Sequence, residues 1–201
     1  MKLNVPFFKQ TTPLNCGPAN LKMVLAYLGK DYNLRILEEK TGINEGKGIS
    51  TMQIAIGAAS LNYKTDFYSI NILLNEKNLI LDFYKNYSDL DLELSKKLVE
   101  KAKSLGVKIQ EQTISLNELL SFVAETSIPI ILVDWNIIKN RKEKGYQGHF
   151  VPIVGYDEEN IYIHNCGLND GEPFVKIPKE TFDEARKAQG TDEDIVVIYK
   201  N

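Results

Sequence analysis

Four residues have the types and spacing to build a sulfur nucleophile with its helpers: Gln10, Cys16, His149 and Asn165. Cys16 opens a helix expected from the residues after it, where unpaired N–H groups and the helix dipole favour a thiolate. Gly17 follows and lets other groups approach that backbone closely. A cysteine taken alone is more often a small buried hydrophobe. His149, one of two histidines, opens a strand just after the polar loop 139–148, where a general base is reachable by substrate. Asn165 lies 16 residues further on, at the end of the next strand. A hairpin turning at 157–159 sets the start of one strand beside the end of the other, so the Asn165 amide oxygen could hold the imidazole. Gln10, six positions before Cys16, could aim an amide N–H at an oxyanion beside the sulfur. Each has an ordinary alternative: a strand-end histidine, a turn asparagine before Gly167, a loop glutamine. The combination carries more weight than any member.

The elements that must position these groups can be read coarsely. Asn15 is a helix N-cap candidate, Pro18 suits a first turn, and Gly29 suits a stop. Leu21, Val24, Leu25 and Leu28 make one apolar stripe, and Ala19, Met23, Ala26 and Tyr27 another, the pattern of a buried central helix. A short helix is expected over 34–40, ended by Gly42. Capping boxes at Ser50 to Gln53 and Ser115 to Glu118 start two more, running to about 61 and 125. Helical spacing recurs over 89–105, and 63–69 reads as a weak strand. Strands are expected at 128–133, 149–156, 160–163, 174–177 and 195–199, with a helix over 179–188 among them. Helices precede strands, so the fold class is α+β, a helical layer on a mostly antiparallel sheet.

The chain has 201 residues, 43% hydrophobic and 25% charged, which suits one globular domain able to bury a full core. Its net charge of −3 gives no general pull toward nucleic acid or an anionic membrane. Two cysteines are too few for a disulfide framework or a thiolate-rich zinc site, and no cofactor or metal is expected. The longest aliphatic run, 128–133, contains Pro129 and is far too short to span a bilayer, so a cytoplasmic protein is expected.

The segment from Gln10 to Ala19, with Leu21, Met23, Leu25, Tyr27 and Gly29 after it, resembles the nucleophile motif of the C39 peptidases. The segment from Gly148 to Tyr156, followed by Asn165, resembles their histidine motif. These are papain-like cysteine peptidases, best known for processing bacteriocins after a double glycine. The resemblance implies a single papain-like domain over 1–201, with a helical elaboration at about 70–126. It also implies Cys16 as nucleophile, His149 as general base and acid, Asn165 as the residue orienting His149, and Gln10 in the oxyanion hole. A peptide or protein would be the substrate, and a thiolate–imidazolium pair would form near neutral pH. The chain departs from the family's pattern at Asn165, where double-glycine peptidases usually carry Asp, and at Asn15, where an acidic residue is common. With no membrane or ATPase segment in the 201 residues, a bacteriocin exporter is not expected.

Three readings follow: hydrolysis of a peptide or amide, acyl transfer or deamidation through the same thioester, and a catalytically idle peptide-binding module. Cys166 and His164 are taken as structural, Trp135 as a cleft or core-rim aromatic, and the basic loop 139–144 as solvated.

Overall fold

The computed structural model describes residues 1–200. In chain order the elements are α1 (Cys16–Leu28), α2 (Leu34–Thr41), α3 (Thr51–Ala59), β1 (Thr65–Ser69), α4 (Asp82–Tyr87), α5 (Leu92–Ser104) and β2 (Lys108–Glu111). The chain continues through α6 (Leu116–Ser121), β3 (Ser127–Asp134), α7 (Trp135–Ile138), β4 (Gly148–Tyr156), β5 (Asn160–Asn165), β6 (Glu172–Pro178), α8 (Lys179–Arg186) and β7 (Ile195–Tyr199). Every strand joins one seven-stranded sheet in the order β2-β1-β7-β3-β4-β5-β6. All neighbours are antiparallel except β1 and β2, which run parallel. The α+β expectation holds: helices α1 and α3 lie on a mostly antiparallel sheet.

Local chemistry explains most boundaries. The Ser50 backbone N–H donates to Gln53 Oε1 at 2.9 Å, closing the expected capping box of α3. Ser115 caps α6 through the Glu118 N–H, but α6 stops at Ser121, short of the expected 125. Asp91 caps α5, and Gly42 ends α2 at φ 67°, in the left-handed region. Asn15 precedes α1 without capping it. Its Oδ1 instead accepts from Thr11 and Thr12, so it shapes the incoming loop.

The core lies where α1 and α3 pack on the sheet. Leu21, Met23, Val24 and Leu25 of α1 are fully buried, as are Ile128, Ile130, Ile131 and Val133 of β3. β3 is buried from end to end, with α1 and α8 both packed on it. The 70–126 segment, expected as a helical elaboration, is partly built into the sheet: α5 packs on α3 and is followed by β2, which pairs at the edge in parallel with β1. Among the described residues no helix is long and apolar enough to cross a membrane.

One polar residue docks α1 onto the sheet. Asn20, fully buried in a mostly apolar helix, donates through Nδ2 to Phe150 O of β4 at 2.8 Å and to Cys16 O one turn back at 2.8 Å. Asn20→Ala would leave the Phe150 carbonyl without that partner in a dry interior, at a cost of about 1–3 kcal/mol. Chemical denaturation is expected to show a lower midpoint with an unchanged slope.

Candidate active site

α1 begins at Cys16, so its sulfur meets the open N–H end of the helix and the start of β4. The backbone N–H groups of Phe150, Gly17 and Cys16 itself lie within reach of the thiol, and Cys16 keeps partial solvent access. Burial raises the thiol pKa above its ordinary value, and those three N–H groups pull it down.

β4 carries His149 one residue before Phe150, and β5 ends at Asn165, as the hairpin reading expects. His149 Nε2 lies 3.0 Å from Asn165 Oδ1. The amide cannot be turned the other way, because its Oδ1 also accepts from Gly167 N–H at 2.9 Å while its Nδ2 donates to Asp170 O at 2.8 Å. Nε2 therefore bears the hydrogen, and in the neutral ring the lone pair lies on Nδ1. Gly167 lies close against this amide: a β-carbon there would lie 2.2 Å from Asp170 Oδ1 and 3.1 Å from Asn165 Oδ1, so the Asp170 carboxylate would have to shift. The Trp135 ring packs on the imidazole, with centroids 4.8 Å apart.

Burial lowers the His149 pKa to about 4, against the stabilising Asn165 bond and the Asp170 charge. A raised thiol and a lowered imidazole both favour neutral forms. Burial thus works against both charged forms, while the three N–H groups at the sulfur and the Asn165 bond at the ring work for them. Partial solvent access at both groups moderates the shifts without reversing their sign.

Gln10 is buried on the chain segment that crosses the end of β5, where its backbone N–H donates to Cys166 O at 2.8 Å. Its Nε2 donates to Thr12 O at 2.9 Å, which uses one of two amide hydrogens. Its Oε1 accepts from Cys166 Sγ at 3.4 Å. Cys166 is a buried free thiol, held also by Asn20 Nδ2 at 3.3 Å. His164 is fully buried between Val5 O and Phe174 N–H. Both structural readings agree with these contacts. The basic loop is partly tied down, by Lys142 to Glu184 at 2.5 Å and by Lys139 to Asp170 at 3.4 Å.

Gln10, Cys16, Trp135, His149 and Asn165 all line one cleft of about 750 Å³. The elements thus bring all four sequence candidates to one place. Sequence reasoning missed Asn20 and Asp170. Asn20 had a visible signal, a polar residue four positions after Cys16 on an apolar helix; Asp170 had none. Among the described residues no three or more His, Cys, Asp or Glu side chains converge as metal ligands.

A family model described as guanylylate cyclase matches residues 5–198. Guanylyl cyclase 1 of Arabidopsis thaliana is 27% identical over 209 residues, covering 98% of this chain and 76% of that protein. Among solved structures, a chain from Bacillus anthracis described as a C39-like peptidase superposes with a TM-score of 0.60 at 18% identity, covering 100% of this chain and 98% of its own. The peptidase domain of Streptococcus ComA, a bi-functional ABC transporter involved in quorum sensing, gives 0.54 at 17%, covering 98% and 100%. A double glycine motif protease from an AMS/PCAT transporter, in complex with its leader peptide, gives 0.53 at 21%, covering 99% and 93%. The motif resemblance to C39 peptidases therefore holds for the fold, while the family match is a different one.

The low His149 pKa has a stability consequence. A depressed folded-state value adds stability that is complete above the unfolded value of 6.5 and is lost as pH falls through about 4. NMR titration of the His149 ring is expected to place its midpoint near 4. In His149→Ala the fall in stability between pH 6.5 and 4 is expected to shrink.

Proposed function

The chain belongs to the guanylylate cyclase family, and from the site it carries we propose that it is a thiol-dependent hydrolase of peptide or amide bonds. The observation that carries this reading is the His149–Asn165 hydrogen bond, set in one cleft with a cysteine at a helix N-terminus. A core histidine would have no need of an asparagine that is itself fixed by Gly167 and Asp170. The leader peptide bound to one structural neighbour supports an extended peptide as substrate. The whole of 1–201 acts as one catalytic domain, in which the 70–126 segment lends one wall of the cleft through Asn71, Asn78 and Phe83.

His149 Nδ1 accepts the Cys16 proton as sulfur attacks the carbonyl carbon. The new oxyanion accepts from the Cys16 N–H and the second Gln10 amide hydrogen. Loss of one such donor typically costs about 2.7–4 kcal/mol of barrier. Collapse expels the amine, which takes its proton from the His149 imidazolium. Water then attacks the thioester, with His149 again as base. Asn165 holds the ring in one tautomer throughout. An amine in place of water would make the same site an acyltransferase, and the thioester is common to both.

The family match supports a second reading, cyclisation of guanosine triphosphate. Arg141 and Lys144 line the cleft and would meet the phosphates. Four carboxylates, Asp82, Asp170, Asp192 and Asp194, line it too. An acidic excess disfavours a polyanion, so hydrolysis is the preferred reading.

Iodoacetamide separates the two. Hydrolase chemistry predicts that Cys16 is alkylated near neutral pH at least tenfold faster in the parent protein than in His149→Ala, read by intact mass. Equal rates contradict it. Cyclic guanosine monophosphate formed from the triphosphate at equal rates by the parent protein and Cys16→Ala would establish the second reading in its place.

A further inference from the structure

The end of β5 serves two cleft residues in succession. Asn165 holds the His149 ring, and Cys166, directly after it, holds Gln10. Gln10 is 6% exposed, so its amide is oriented by protein contacts. Its Nε2 donates to Thr12 O at 2.9 Å, which puts the nitrogen on that side and the oxygen on the other. The oxygen meets Cys166 Sγ at 3.4 Å. An amide oxygen only accepts, so the thiol is the donor. Cys166 Sγ also lies 3.9 Å from Cys16 O, and Gln10 Oε1 is the nearer acceptor for its single hydrogen. The backbone repeats the pairing, since the Gln10 N–H donates to Cys166 O at 2.8 Å. A side chain pinned at both amide atoms and at its own backbone keeps its second Nε2 hydrogen in one direction.

The thiol is itself held and kept protonated. Asn20 Nδ2 donates to its sulfur at 3.3 Å, and the same amide donates to Cys16 O at 2.8 Å. Cys166 thus stands between the helix turn that carries the nucleophile and the amide of Gln10. Burial and the neighbouring Cys16 sulfur raise its pKa well above the ordinary value, against the Asn20 bond. The group therefore carries its hydrogen at neutral pH, which makes it a donor and not a second nucleophile.

We propose that Cys166 is a positioning residue for the oxyanion hole: its S–H fixes the Gln10 amide so that the remaining Nε2 hydrogen meets the oxyanion. The assignment rests on the hydrolase reading. Neighbouring residues at one strand end then divide the work, Asn165 orienting the base and Cys166 orienting the oxyanion donor. The β4–β5 register that seats Asn165 against His149 seats Cys166 against Gln10 as well.

The test compares two reactions of Cys16 in the full chain. Acylation by p-nitrophenyl acetate, less the rate left in Cys16→Ala, passes through an oxyanion, and alkylation by iodoacetamide does not. Cys166→Ala and Cys166→Val both lack the donor, one emptying space and the other filling it. Each is expected to slow acylation about tenfold and to leave alkylation within about twofold of the parent. Cys166→Ser keeps an O–H donor and is expected to bring acylation back to within about threefold. In Gln10→Ala, adding Cys166→Ala is expected to cost nothing more, because the two act through one amide. Infrared spectroscopy reads the contact with Cys166 intact. In Cys16→Ala, where Cys166 is the one thiol left, its S–H stretch is expected to move to higher frequency when Gln10→Ala removes the acceptor. Parental acylation in Cys166→Ala and Cys166→Val, an equal fall in both reactions, or no recovery in Cys166→Ser overturns the assignment. So do additive losses with Gln10→Ala or an S–H band that Gln10→Ala leaves unmoved. Failure of the hydrolase reading is seen separately, as slow alkylation of the parent chain. Rapid alkylation with acylation indifferent to Cys166 removes only the positioning role.

Discussion

Everything about the site depends on one docking: the N-terminal turn of α1 held against the start of β4. A helix end and a strand end rarely meet with their backbone groups satisfied, because each leaves orphan polar atoms. Here the Asn20 amide spans the two, donating to Cys16 O on the helix and Phe150 O on the strand. That contact sets Cys16 against the Phe150 N–H, one residue from His149. The β4–β5 hairpin then brings Asn165 to the far side of the imidazole. The start of α1 and the β4–β5 hairpin, more than a hundred residues apart, thus meet through a buried amide and one sheet register.

The electrostatics follow from the same docking. Burying the pair beneath Trp135 removes the water that would stabilise either charge, so the thiol rises and the imidazole falls. A neutral pair becomes the ion pair that thiol chemistry needs by passing one proton from the sulfur to the ring. The orientation of Asn165 supplies the remedy, because a ring with hydrogen on Nε2 keeps its basic lone pair on Nδ1. A substrate that excludes the last water strengthens every dipole in the site at once.

Much of this was legible in the sequence because it was local. The capping box at Ser50, the stop at Gly42 and the alternating strands of the last third are written in neighbouring residues. The hairpin joining His149 to Asn165 is nearly so, since 16 residues and one turn fix which strand ends meet. What escaped was long-range or weakly patterned. β2, Lys108–Glu111, is a short polar strand held only by its parallel register with β1, and periodicity cannot reveal it. The pKa directions depended on burial that no spacing encodes. The two short motifs resembled C39 peptidases because they are what that fold needs around a cysteine and a histidine. They identified the architecture, and the family needed the whole of residues 5–198.

The central claim is that the Cys16 sulfur and the His149 ring are in working contact. The most direct measurement is cross-linking of the folded chain with 1,3-dibromoacetone, a three-carbon bifunctional alkylator, followed by peptide mass mapping. A single Cys16–His149 bridge, absent from His149→Ala, is the result this account predicts. Cys16 carrying only a one-ended adduct, with His149 unmodified, would contradict it.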